Sequence, residues 1–247
     1  MKPTLVTVMH DSEARFLKAF HVHMPKLKQI YHNCFLALSD QSDHRLEQIA
    51  KEHGVTVIRV AKKGAAFARR EALRFAWRDQ QQNLSYHYCD LDRLFTWMEE
   101  DLAELNVTLE LIKGFDYAIL GRSEKAFLSH PLEWRETEKW VNYVFSLAIN
   151  QKADVTAGSA GMSRRALEEI VKQIPISDAK MTDAEWPLVV KRFLPEATFS
   201  SLFLDGLCYK EQNRVTEQDE IMNWAGRVRL AHEITSSIVN QLTSLKS

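Results

Sequence analysis

The chain has 247 residues, 45% hydrophobic and 26% charged, with 32 basic residues against 33 acidic ones. This is the balance of an ordinary globular protein long enough to bury a sizeable core, and it excludes a global basic field that would hold nucleic acid by its phosphates. The cysteines, Cys34, Cys89 and Cys208, are far apart and form no CxxC pair, which argues against a disulfide framework or a zinc site.

TLVTVMH (4–10) is a β-rich run, predicted as the first strand. It is too short for a signal peptide and far below the roughly 20 apolar residues of a membrane span, as is every other run. A cytoplasmic location is the expectation. SEARFLKAFHVHM then has helical spacing, with Phe16, Phe20 and His23 on one face. NCFLALSD (33–40) reads as the second strand, DHRLEQIAKEHG (43–54) as a helix stopped by Gly54, and VTVIRVA (55–61) as the third strand. GAAFARREALRFAWRDQQ (64–81) reads as a helix and SYHYCD (85–90) as the fourth strand. The strands are continuously apolar rather than alternating, as burial on both faces of a parallel sheet requires.

The second half is less regular. One helix is expected over 93–114, a strand over 115–121, and a helix over 131–150 with Trp140, Val144 and Leu147 on its inner face. ADVTAGSAGMS (153–163) reads as a strand running into a turn, followed by helices at 164–174 and 183–194, a last strand at 198–206 and a helical tail from about 219 to 245. Glycine and proline are scarce, 8 and 6, so no flexible linker is evident. The prediction is one α/β domain with a mostly parallel central sheet, helices on both faces and a helical C-terminal tail.

In open sheets of this kind ligands bind beyond the carboxyl ends of the strands. Those ends carry His10-Asp11, Asp40, Lys62-Lys63-Gly64, Asp90-Leu91-Asp92, Arg122 and Gly158-Ser159. Asp90 and Asp92 sit where the backbone turns, so both carboxylates can approach one hard cation, Mg²⁺ or Mn²⁺; either one can equally cap the helix that follows. Gly64 opens a helix whose free N–H groups suit a phosphate. Arg69 and Arg70 lie in its first turns as ligand candidates, while Arg74 and Arg78 read as a solvated face. Asp40 suits a base or ribose contact, or a turn before the next helix. Gly158, Gly161 and Ser163 either shape an acceptor pocket or make a tight turn. Trp97, Trp134, Trp140 and Trp186 sit at helical spacing and read as core rather than as sugar platforms, and Trp186 is the one to test for stacking on an acceptor.

The ordered set KKGAAFARREAL, YHYCDLD, DYAILGRSEKAF, DVTAGSAGMSRRALEEI and TDAEWPLVVKRF resembles the nucleotide-diphospho-sugar glycosyltransferases of the GT-A fold over residues 4–195. The resemblance implies a nucleotide-sugar-binding half (1–121), an acceptor-side half (122–206) and the tail (207–247). It implies that His10, Asp40, Gly64, Arg69 and Asp90 bind the nucleotide-sugar donor, and that Asp92, with Asp90, holds Mn²⁺ or Mg²⁺. Glu185 would be the catalytic carboxylate, with Asp183 as second choice, and Gly158, Gly161, Ser163 and Trp186 would lie on the acceptor side. A carboxylate base acting on the acceptor hydroxyl would invert the anomeric centre. The sequence departs from the family in having Arg70 after Arg69 where asparagine is usual, SDQSDH in the second-strand signature, and Asp183 and Glu185 spaced rather than adjacent. The alternatives are a nucleotidyltransferase, disfavoured by the glycine-free MHDSEARF after the first strand, or a non-catalytic relative binding a partner through the tail. A homo-oligomer built on the C-terminal helix is a further expectation, and no nucleic-acid or transmembrane partner is expected.

Overall fold

The computed structural model describes residues 1–79, 84–173, 181–210 and 219–243. In chain order it contains Thr4–Met9 (β1), Leu17–Ile30 (α1), Cys34–Ser39 (β2), His44–Glu52 (α2), Thr56–Val60 (β3), Ala65–Arg78 (α3), Ser85–Cys89 (β4), Leu91–Glu100 (α4) and Leu102–Leu111 (α5). The second half adds Tyr117–Arg122 (β5), Glu124–Leu128 (α6), Leu132–Ile149 (α7), Ser159–Ser163 (β6), Arg164–Gln173 (α8), Thr182–Phe193 (α9), Phe199–Leu204 (β7) and Glu220–Thr243 (α10). The strands form one sheet in the order β3-β2-β1-β4-β6-β5-β7. Positions 80–81, 174 and 244–245, the ends expected for three helices, lie outside the described residues.

The predicted mostly parallel sheet is present: β1 pairs in parallel with β2 and β4, β2 with β3, and β5 with β7. Every position of β2, β4 and β5 is buried, which explains their mainly apolar character, and the polar Ser39, Ser85, His87 and Arg122 among them are buried too. Alternate residues serve two cores. Val6 packs under α3, α7, α8 and α9, whereas Leu5 and Met9 pack against α1, α2, α4 and α5, the period of two that a pleat imposes. Ala72 and Ala76 are fully buried and let α3 lie close on the sheet. Among the described residues no helix is long and apolar enough to cross a membrane.

Four expectations are corrected. The first helix begins at Leu17, not at residue 12, because the Asp11 carboxylate accepts from Arg15 N at 3.1 Å and Phe16 N at 2.9 Å and holds a turn there. The helix expected over 93–114 breaks at Asp101, whose carboxylate caps a new helix by accepting from Glu104 N at 2.7 Å. The segment 153–163 is a 3₁₀ turn at Val155–Ala157, a left-handed Gly158 (φ 68°) and then β6, which runs antiparallel to both β4 and β5. The inner face of α7 is Thr137, Glu138, Val141, Phe145 and Ile149, while Trp140 is 69% exposed. The helix is rotated because Arg122, fully buried at the end of β5, draws Glu138 inward at 2.6 Å, and an unpaired buried charge would cost several kcal/mol.

The fold also takes up Glu185. It is 6% exposed on α9 and accepts from Arg70 Nη2 at 2.7 Å beneath α3. Burial raises its carboxyl from the ordinary 4.5 to about 7, against the opposing pull of Arg70. Between these values the folded state alone keeps the proton, so the group's contribution to stability is full below about pH 4.5 and is lost as the pH rises through about 7. Glu185→Gln is expected to flatten the stability–pH curve across that window, measured by urea unfolding at successive pH values. A second test concerns Gly161 in β6, where an added Cβ would lie 2.6 Å from Ile112. Gly161→Ala is expected to destabilise by about 1–3 kcal/mol through overpacking, and an unchanged denaturation midpoint would count against this close approach.

Candidate active site

Two cavities open at the carboxyl edge of the sheet. The first, about 450 Å³, lies over the ends of β1, β2 and β3 and includes His10, Ser39, Val60, Gly64, Asp90 and Asp92 in its lining. The second, about 510 Å³, includes Gly64, Arg69, Arg93, Thr156, Asp183 and Arg227. Gly64 and Ala65, at the start of α3, line both. The backbone of Gly64 has φ 95°, a value that strongly favours glycine. The first turn of this helix therefore turns its N–H groups toward the junction, where an anionic group is favoured.

Arg69 stands at that junction. Its Nε and Nη2 donate to Asp90 Oδ1 and Oδ2 at 3.2 and 2.6 Å, and its Nη1 donates to Asp183 Oδ2 at 2.7 Å. The Tyr88 hydroxyl also donates to Asp90 Oδ1, and Arg93 Nε lies 3.9 Å from Oδ2. Burial acts to raise the Asp90 carboxyl, but Arg69 and Arg93 outweigh it and hold the group below its ordinary value. Burial likewise acts against the charge on Arg69, and Asp183 and Asp90 overcome it. Gly158 faces the same cluster: an added Cβ would lie 3.0 Å from Asp90 Oδ2 and 3.5 Å from Arg69 Nη2.

A second charged network supports the wall of the larger cavity. Arg122 donates to Asp154 through Nε at 2.7 Å and Nη2 at 2.9 Å, and through Nη2 to Thr156 at 2.8 Å. Glu138 joins Arg122 to Arg227 of α10, and the Arg227 guanidinium lies 4.0 Å from the centre of the Trp134 ring. The tail helix thus packs on α7 and α9 of its own chain and lines the cavity with Arg227, Leu230 and Glu233.

The residues singled out from sequence divide clearly. His10, Gly64, Asp90 and Asp92 line the first cavity, and Arg69 and Asp183 the second. Partial burial and Lys62 lower the pKa of His10. Asp40 is exposed, accepts from Lys62 N at 3.1 Å and is not among the residues lining either cavity. Glu185 is turned beneath α3 and lines neither. Trp186 is 2% exposed and packs edge-on against Tyr88, so it offers no open face for stacking. Gly161 and Ser163 are displaced from the rim because β6 is antiparallel: Ser159 is level with Cys89 at the rim, whereas Ser163 is level with Ser85 at the far end. There Ser163 bonds Asp116 and caps α8. Sequence reasoning assigned no site role to Tyr88, Arg93, Thr182 or Arg227. An i,i+3 spacing from Asp90 was the available signal for Arg93; a tail residue such as Arg227 carried none.

Among the described residues no cluster of three or more His, Cys, Asp or Glu side chains could hold an ion by itself. The chain offers Asp92 and, if released by Arg69, Asp90. Mg²⁺ at nucleotide sites takes one or two carboxylates, with phosphates and water completing its shell, so this donor set fits a cation held largely by the substrate.

No protein-family model and no curated protein sequence matches the chain. Solved structures do. Glucosyl-3-phosphoglycerate synthase from Mycobacterium tuberculosis, in complex with Mn²⁺, UDP-glucose and phosphoglyceric acid, superposes with a TM-score of 0.58 at 10% identity, covering 96% of this chain and 80% of that one. The same enzyme with Mg²⁺ and UDP gives a TM-score of 0.56 at 10% identity, covering 97% and 79%. A structure described as a mycobacterial protein gives 0.63 at 11% identity, covering 97% and 74%. The chain has the GT-A fold of these glycosyltransferase structures.

Proposed function

We propose that the chain is a glycosyltransferase that moves a sugar from a nucleotide-diphosphate donor to a hydroxyl acceptor, with Mn²⁺ or Mg²⁺ as cofactor. The observation that carries this reading is the Arg69 bridge between Asp90, which lines the first cavity with Asp92, and Asp183, which lines the second. The first cavity takes the nucleoside, bounded by Ser39, Val60 and Gly64. The diphosphate lies against the first turn of α3 and Arg69, where N–H groups and a guanidinium stabilise the charge that develops on it as the sugar leaves. Asp92 and Asp90 hold the divalent cation, which supplies further charge neutralisation when bound.

The acceptor occupies the second cavity. Asp183 lines it, whereas Glu185 is committed to Arg70, so Asp183 is the carboxylate placed to receive the acceptor's proton. Base action of this kind inverts the anomeric centre, and the product's anomer reports on it. Glucosyl-3-phosphoglycerate synthase, which shares the fold, has been crystallised with Mn²⁺, UDP-glucose and either phosphoglyceric acid or glycerol 3-phosphate, which supports a nucleotide-sugar donor and a second small ligand here. The acceptor side in this chain is completed by α10.

Two outcomes test the reading. UDP or GDP with Mn²⁺ is expected to raise the thermal midpoint of the wild type, by about 2.7 kcal/mol of stabilisation at 100-fold the Kd. Asp92→Asn is expected to weaken binding of the nucleotide–Mn²⁺ pair about tenfold or more, a loss of at least about 1.4 kcal/mol. No shift with any nucleoside diphosphate would instead support a non-catalytic binding protein. Asp183→Asn is expected to lower turnover by about 10²–10⁴-fold with donor affinity retained, whereas Glu185→Gln in a folded protein leaves turnover within a few-fold. A reversed pattern in steady-state kinetics would return the base to Glu185.

A further inference from the structure

In this structure both carboxylates that the proposed chemistry needs are held by one side chain. Arg69 occupies both oxygens of Asp90 and one of Asp183, and the three side chains are only 11–16% exposed. A divalent cation approaching Asp90 therefore meets a carboxylate already compensated by Arg69, with Arg93 3.9 Å away. It would have to displace a bidentate, charge-assisted pair and leave a guanidinium buried with half its partners gone. A diphosphate meets the opposite situation. It arrives with the charge that Arg69 needs, at the helix start that lines both cavities, and a guanidinium fork donates to phosphate oxygens as readily as to carboxylate ones.

We propose that Arg69 is a latch on Asp90 and Asp183 that the donor's diphosphate opens: the guanidinium exchanges the two carboxylates for phosphate oxygens, releasing Asp90 to the cation and Asp183 to the acceptor in one event. This rests on the donor reading above. No covalent bond changes; only hydrogen-bond and ion-pair partners are exchanged. Two consequences follow. The chain by itself is a poor metal binder, although it carries two acidic residues at the rim. The base becomes available only once a donor is in place, so an acceptor or water molecule arriving first meets an Asp183 still paired with Arg69.

The latch makes a prediction of opposite signs for one substitution. Mn²⁺ binding in the absence of nucleotide is measured from the paramagnetic resonance signal of free Mn²⁺. UDP binding is measured by isothermal titration in EDTA. Arg69→Gln is expected to bind nucleotide-free Mn²⁺ about tenfold tighter than the wild type and UDP about tenfold more weakly, a coupling within the ordinary range between linked sites. Circular dichroism checks that the variant is folded; if it is not, Arg69→Lys, which keeps the charge and loses the fork, is judged by the same two signs.

Mn²⁺ binding that is unchanged or weaker in the folded variant overturns the latch, because Arg69 then does not restrain Asp90. Tighter Mn²⁺ binding with unchanged UDP affinity also overturns it, because the diphosphate then does not take the guanidinium. So does a wild type that binds UDP only when Mn²⁺ is present. A wild type that binds no nucleoside diphosphate even with Mn²⁺ overturns the donor reading itself, and with it the exchange.

Discussion

The site depends on a single guanidinium placed between two acids. Arg69 leaves the second turn of α3, and its fork reaches Asp90 at the end of β4 and Asp183 at the start of α9. α9 is distant in sequence from the other two, and the three share no local hydrogen-bonding pattern. Their ends are held together by opposite charges in a largely buried setting, where an unpaired member would be strongly destabilising. The nearby strain is slight: Gly64 and Gly158 take the two left-handed backbone positions at the junction, and glycine adopts these at little cost.

The same logic organises the rest of the carboxyl edge. Arg122 is fully buried and is surrounded by Asp154, Glu138 and Thr156. This network turns α7 so that Trp140 and Leu147 face outward, against the direction that hydrophobicity alone would choose. It also reaches α10 through Glu138 and Arg227. The tail helix is therefore tied into the wall of the second cavity rather than merely packed on the body. Its inner residues Ile234 and Ile238 belong to the same core as Val6 and Tyr88, so the cavity wall and the sheet interior share one packing unit.

The structure also separates two neighbouring carboxylates by role. Asp183 and Glu185 are two residues apart on α9, an interval of about 200° around a helix. One faces the cavity and Arg69; the other faces the underside of α3 and Arg70. The adjacent arginines of α3 are divided in the same way, so two arginine–carboxyl contacts run between the helices, one at the surface of a cavity and one within the core. In a chain whose pairs were spaced by three or four residues, both acids would share one face.

The sequence by itself determined six of the seven strands, most of the helices and the place of the rim, and it located β6 only as part of a longer segment. Short apolar and aromatic runs such as CFLAL and YHYC read as buried strands, and the polar residues that end them mark the carboxyl edge. Asp90, Asp92 and Gly64 were legible because they lie one, three and four residues past the ends of β4 and β3, and Arg69 because it follows in the helix that Gly64 opens. The tertiary structure alone decided the direction of β6, which put Gly161 level with the middle of β4 and Ser163 at the far end of the sheet. It alone decided the rotation of α7, the burial of Glu185, and the entry of Arg227 into the cavity wall. The physical reason is common to all of these. Strand direction, helix rotation and ion-pair partners are set by contacts between segments distant along the chain, and local patterning carries no record of which distant charge a buried residue will meet.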